Sequence, residues 1–293
     1  MSDLEYSFRE ARKANKANDY NKAEEIYMVL YKKCPEKFHK LDKNAFAFLL
    51  YHNHIKCLDH NSVKSAEIVV DLICQKNTNK LRKPCYYTLS VLKMMNLFNS
   101  KEKYQDTIKW AGKLKVELLN STPFRKEDGT LAPSQMEKWY LYLTKALLKL
   151  NIDHVCINLS KDALEKCPNL TYEIWFKWRL AKSYNAMEDY DNALIYLKEL
   201  ENSKKNWYVY REFSKSYYGK NDIDNALNYA VKSALTNEPP INKISVYKQI
   251  IKLLKEMGIE DEILKHEYLI YSIKSSLYDN ISVPSARFHP FGK

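Results

Sequence analysis

NAMEDYDNAL, residues 185–194, has two relatives in the same chain: GKNDIDNAL at 219–227 and KANDYNKAE at 16–24. Aligned on Ala193, Ala226 and Ala23, each phrase runs through an Asp, a hydrophobic residue and two polar residues to an alanine. Upstream of each lies a small residue (Ala181, Ser214, Ala11), followed three positions on by Tyr184, Tyr217 and Ala14. Six residues further come Tyr190, Ile223 and Tyr20. Downstream of the alanines, Leu197, Ala230 and Tyr27 are four residues on, and Leu200, Ser233 and Leu30 are seven on. Spacings of three, four and seven put one apolar stripe on each of two helices, with a short polar turn between them. Small side chains at the crossing let the two helices approach closely. Asn and Asp in the turn suit backbone bonding and helix capping.

The pattern resembles the tetratricopeptide repeat, a helix–turn–helix unit of about 34 residues. The best units are 4–37, 137–170, 172–205 and 207–240. CPEK at 34–37 and CPNL at 167–170 place Pro35 and Pro168 where the family ends its second helix. Looser units cover 46–80 with Ala66 at the alanine position, 84–122 with Thr107, and 243–276 with Glu262. The resemblance implies an all-α, right-handed superhelical solenoid of about seven antiparallel helix pairs over 1–276, each pair packing on its neighbours. Residues 277–293 are expected to be an irregular tail or linker. NSTPFRKEDGTLAPSQ at 120–135 is expected to be a long connection; loops of that length are functional or disordered.

Composition agrees with a helical protein and removes several function classes. Five glycines and nine prolines are too few for a turn-dense β fold, and neither GxGxxG nor GxxxxGK[ST] occurs. The opening MSDLEYSFREARK is charged, unlike a signal peptide, and no apolar run is long enough to cross a bilayer. The cysteines at 34, 57, 74, 85, 156 and 167 form no CxxC pair. They read as small buried side chains in a reducing cytoplasm.

YHNHIKCLDH carries His52, His54, Cys57 and His60, residue types that suit zinc. With no second ligand cluster in the sequence, packing is the better reading, and no metal or cofactor is expected. His154 and Cys156, two apart on a helix, point away from each other and cannot act as base and nucleophile. GxSxG and HExxH are also missing. The expectation is a protein that binds rather than catalyses.

In the tetratricopeptide family the first helix of each unit lines a concave groove. Carried onto this sequence, those positions are Lys138, Tyr142, Lys145 and Lys149; then Trp175, Trp178, Arg179, Lys182 and Asn185; then Tyr208, Arg211, Lys215 and Tyr218. Cations and aromatics dominate, with Glu212 among them. Family members that clamp the carboxyl-terminal ends of chaperones need Lys or Asn, then Asn, then Lys or Arg. Here the matching positions hold Leu141 and Lys145, Arg179, and Tyr208 and Glu212, so that clamp is not expected.

Net charge is +11, and residues 76–126 hold twelve Lys and Arg against three acids. The leading expectation is a cytoplasmic, non-catalytic adaptor or scaffold that binds an acidic or carboxylate-bearing protein segment, with self-association as a variant. The alternative is single-stranded RNA or DNA, with phosphate contacts from Lys76, Lys80, Arg82, Lys83, Lys109 and Lys113.

Overall fold

The computed structural model describes residues 3–78, 84–203 and 206–282. Among them are fourteen α-helices that follow one another as seven antiparallel pairs. The pairs are α1 (Asp3–Lys16) with α2 (Tyr20–Lys33), α3 (Lys40–Leu50) with α4 (Ser62–Leu72), and α5 (Tyr86–Ser100) with α6 (Tyr104–Ala111). Next come α7 (Gln135–Lys149) with α8 (Asp153–Lys166), and α9 (Glu173–Ala186) with α10 (Tyr190–Ser203). The last are α11 (Trp207–Gly219) with α12 (Ile223–Ala234), and α13 (Ile244–Glu256) with α14 (Glu260–Ser282). This is an all-α helical-repeat fold.

The recurring phrase is the turn inside a pair. All seven turns contain one left-handed residue: Asn18, Leu58, Glu102, Asn151, Glu188, Asn221 and Gly258, with φ between 56° and 70°. The N–H of the next residue then donates to the carbonyl five positions back. The distances are 3.0 Å for Asp19 to Ala14, 3.0 Å for Asp189 to Tyr184 and 2.9 Å for Asp222 to Tyr217. That bond closes the first helix. The same aspartates then open the second helix: Asp19, Asp189 and Asp222 accept from the N–H of Lys22, Asn192 and Asn225 at 3.3, 3.2 and 3.1 Å. One residue thus ends one helix and caps the next.

A left-handed conformation suits Asn or Gly and costs other residues about 1–2 kcal/mol. Glu188 bears that cost at φ 61°. Glu188→Gly is therefore expected to stabilise the protein by about 1 kcal/mol and raise Tm by about 2–4 °C, read by thermal circular dichroism.

At the crossing of each of the first six pairs the alanine-like position is fully buried: Ala23, Ala66, Thr107, Cys156, Ala193 and Ala226 are all 0 % exposed. Backbones come close enough there for bonds from side chains to the main chain. Ser214 Oγ donates to the Ala226 carbonyl at 2.7 Å, and Cys156 Sγ to that of Thr144 at 3.4 Å. In the seventh pair Glu262 occupies the position, half-buried and paired with Lys265 at 2.6 Å.

The protein divides into two compact units, Met1–Phe176 and Lys177–Lys293. The first has an aromatic core in which Tyr27 stacks on Phe46 at 5.6 Å and Phe8 meets Phe38 edge-on at 5.0 Å. A buried carboxylate, Asp42 at 1 % exposure, ties three helices. Arg12 Nε and Nη2 donate to it at 2.7 and 2.6 Å, and Tyr27 Oη donates at 3.0 Å. Burial, with the Asp42 carboxylate beside it, pushes the Tyr27 phenol well above its usual pKa. In the second unit Phe213 stacks on Tyr229 at 4.4 Å. Val246, Ile250, Leu253 and Leu254 of α13 pack with Ala226 and Ala230 of α12 and Ile270 of α14.

Three expectations change. The 120–135 connection is not structureless: β1 (Phe124–Arg125) pairs antiparallel with β2 (Leu131–Ala132) around Gly129 at φ 79°. Two strands of two residues are too short for alternation to reveal. Cys57 and Cys74 are exposed, unlike Cys34, Cys85, Cys156 and Cys167. A π-helical turn over Tyr51–Ile55 shifts the register ahead of Cys57, and Cys74 follows the end of α4. Finally, α14 continues to Ser282, so helix extends into the expected tail; 283–293 lie outside the described residues.

Candidate partner-binding site

The groove positions read from the sequence fall on both units: Lys138, Tyr142, Lys145, Lys149 and Trp175 in the first, and those from Trp178 to Tyr218 in the second. In the second unit they form two stripes. Tyr208, Arg211, Lys215 and Tyr218 are three, four and three residues apart on α11, and Trp178, Lys182 and Asn185 are four and three apart on α9. Helical geometry places each set on one face. The stripes touch at Trp178, which meets Tyr208 edge-on at 5.6 Å while Lys182 Nζ lies 5.2 Å from its ring centroid.

Below this contact, α9, α10 and α11 enclose an open cleft of about 260 Å³. Lys182, Asn185 and Ala186 line one side, Glu212, Lys215 and Tyr218 the other, and Tyr190 forms an end wall. Tyr190 belongs to the phrase 185–194, and its ring lies directly on α11. A Cβ on Gly219 would come within 2.0 Å of its Cζ. Glycine leaves the space that the tyrosine fills.

Glu212 organises the floor of the cleft. It is 2 % exposed, and Lys215 Nζ pairs with its Oε1 at 2.9 Å. Asn185 Nδ2 donates to its carbonyl and to Oε2 at 3.0 and 3.2 Å. Ser216 Oγ donates to Asn185 Oδ1 at 2.6 Å. Two expected ligand contacts are therefore engaged inside the fold: Asn185 holds α9 against α11, and Lys215 neutralises Glu212 from one turn along the same helix. A buried carboxylate demands partners, and these two supply them.

Arg211 is different. It is half-buried, and its Nε is buried without a hydrogen-bond partner. A guanidinium placed between Tyr208 and Lys215 on the α11 stripe, and given no carboxylate among the described residues, is suited to receive one. Arg179, one pair earlier, is 5 % exposed, and so belongs to the packing rather than to an open surface.

In the first unit, Lys138 is half-buried with its Nζ 5.8 Å from the centroid of the Phe124 ring. Tyr142 is half-buried as well, and burial raises its pKa. Lys145 is half-buried and Lys149 exposed further along α7, and Trp175 is half-buried on α9. Of the residues expected to make phosphate contacts, Lys76 is exposed beside Asn44 and Tyr86, whereas Lys109 and Lys113 lie on and just after α6. Lys113 Nζ is 5.3 Å from the Trp110 ring centroid. Lys80, Arg82 and Lys83 lie outside the described residues.

In the histidine cluster, His54 is held by two carboxylates. His54 Nδ1 meets Asp59 Oδ2 at 2.6 Å and its Nε2 meets Glu24 Oε1 at 2.7 Å, so carboxylates take both ring nitrogens. Burial opposes the imidazolium, but the bonds to Asp59 and Glu24 outweigh it, and the pKa is raised above 6.5. A raised histidine pKa contributes stability in full below the unfolded value, and that contribution fades as pH rises through the folded value. His54→Gln is expected to cost about 1–2 kcal/mol near pH 6 and distinctly less near pH 9. Urea melts of both proteins at the two pH values measure the difference; an equal loss at both would contradict a charged His54.

Among the described residues no helix is long and apolar enough to cross a membrane. No protein-family model matches the sequence, and no characterised protein matches it. Solved structures do resemble it. MamA (41-end) from Desulfovibrio magneticus RS-1 is 9% identical, with a TM-score of 0.51, over 64% of this protein and 96% of that one. MamA AMB-1 is 14% identical with a TM-score of 0.48, over 66% of this protein and 99% of that one. BtubC from P. vanneervenii is 12% identical with a TM-score of 0.44, over 100% and 98%. The first supports the helical-repeat architecture. At such identities a likeness reaches the fold and stops there.

Proposed function

We propose that this protein is a non-catalytic interaction protein that holds an acidic or carboxylate-bearing segment of a protein partner on the cation–aromatic face of α9 and α11. The observation that carries this reading is Arg211, a half-buried guanidinium with an unpartnered Nε on a stripe flanked by Tyr208 and Tyr218. Protein interiors rarely leave such a group unpaired, because removing it from water costs free energy that only a hydrogen bond returns. A partner carboxylate would pair with this charge through the Nη atoms, which unlike Nε are not closed off. Trp178 and Tyr208 offer apolar area for neighbouring side chains, the usual make-up of an interaction hot spot.

Cross-linking from position 208, with a photoreactive residue in place of Tyr208, followed by mass spectrometry of proteins captured in the native host, tests the proposal. The expected captured sites are acidic segments or carboxyl-terminal ends. Capture of nucleic acid instead would overturn the reading in favour of the phosphate-binding alternative. Salt separates the two as well, since displacement of counterions from a polynucleotide makes its affinity fall steeply between low and moderate salt.

A further inference from the structure

The last described helix, α14, leaves one face outside the packing of the second unit. On its inner side Ile263, Ile270 and Ile273 join the core formed with Val246, Ile250 and Leu254 of α13. On the opposite side Leu264, Tyr268 and Tyr271, spaced by four and three, form a stripe that is 70%, 72% and 68% exposed. Large apolar side chains scattered singly are ordinary on a surface, but three adjoining on one helix face mark a contact site. Glu267 and Lys274 flank the stripe along one edge, seven residues apart. Lys274 forms no ion pair among the described residues, and Glu267 meets Lys255 at 3.6 Å, both about half exposed.

Along the helix this face runs acid, tyrosine, tyrosine, base, and it is complementary to its own reverse. Laid antiparallel on a second copy, Tyr268 meets the partner's Tyr271. In the same register Glu267 meets the partner's Lys274, and a twofold axis repeats both contacts. Leu264 then lies over the partner's Ser275, whose small side chain leaves it room. Charge favours this surface over others. The whole protein carries +11, whereas residues 260–276 hold four acids and two lysines. Two copies would repel through most of their surfaces and least through this one. Beside the stripe, Lys255, Gly258, Glu260, Ile263, Leu264 and Glu267 line an open cleft of about 500 Å³. Its two acids, Glu260 and Glu267, share the helix edge of Lys274, so the partner's lysine would arrive at a negative rim.

We propose that α14 is the contact surface of a symmetric homodimer, with Leu264, Tyr268 and Tyr271 of one copy packed antiparallel on the same stripe of a second. No residue of the α9–α11 face takes part, so dimerisation and capture of an acidic partner are separable. Three side chains of this size bury roughly 300–500 Å² per copy, short of the roughly 800 Å² of a tight complex. The expected dimer is therefore weak, with Kd on the order of 10–100 µM.

Sedimentation velocity on the full chain from about 1 to about 500 µM tests this. The expected result is a shift from monomer to dimer across that range. Tyr268→Glu should raise Kd about tenfold or more without lowering Tm, because the side chain points away from α13. Glu267→Lys and Lys274→Glu should each weaken the dimer about tenfold, and combining them should restore it, since each pair is rebuilt with its charges exchanged. Lys198→Glu, an exposed change on α10, should have no effect. A chain that stays monomeric throughout would overturn the proposal and leave the stripe to another protein or to the chain beyond residue 282. A dimer indifferent to Tyr268→Glu in folded protein would overturn it too. So would failure of the double charge exchange to restore association, which would rule out the antiparallel register.

Discussion

Arg211→Glu is expected to weaken capture of an acidic partner about a hundredfold or more while leaving the melting temperature unchanged. The loss follows from removing a desolvated charge pair and adding a repulsion, together about 3 kcal/mol or more. Stability should hold because Arg211 makes no hydrogen bond or ion pair among the described residues, so nothing in the fold is broken. Lys215→Glu, one helical turn away, is expected to behave differently. Its ammonium is the ion partner of Glu212, which is 2 % exposed. A second carboxylate there leaves the first buried against a like charge, at a cost of about 2–4 kcal/mol. Partner affinity and thermal melts, measured on both variants, separate the two roles. Equal loss of stability would remove the distinction, and unchanged affinity in Arg211→Glu would remove the proposed site.

The other large effect concerns stability alone. Asp42→Ala deletes the acceptor of two Arg12 hydrogen bonds and one from Tyr27. Tyr27 is 0 % exposed, so its hydroxyl would be left without an acceptor in an apolar aromatic core. Arg12 is about half exposed and can turn to water, which limits its share. The expected loss is about 2–4 kcal/mol, measured by urea denaturation, with Asp42→Asn intermediate because it retains one acceptor oxygen. A loss below about 1 kcal/mol would mean that the joint between α1, α2 and α3 rests on packing rather than on this carboxylate.

Much of the fold was legible because its signals are local. A left-handed residue followed by a capping aspartate is a property of a few consecutive residues. So is a stripe at spacings of three and four with a small side chain at the crossing, as at Ala193 and Ala226. The exceptions are also local in cause but silent in pattern: a π turn at Tyr51–Ile55 that exposes Cys57, and strands of two residues at Phe124 and Leu131. Gly219 was visible as one of five glycines, yet that it receives the Tyr190 ring depends on residues nearly thirty positions apart.

By itself, the sequence determined the all-α repeat, the turn chemistry and the faces on which cations and aromatics would stand, since helical period and capping act over a few residues. Only the tertiary structure decided which of those cations remain available. Packing buries Glu212 and with it claims Lys215 on the same helix and the Asn185 amide of α9, Arg179 is packed away, and Arg211 keeps an unpartnered nitrogen. The physical reason is that an ion pair forms when two charged atoms lie about 3–4 Å apart, and helix packing sets that distance between groups on neighbouring helices. NAMEDYDNAL specifies where two helices join; the packing of α9 on α11 decides what they leave free to bind.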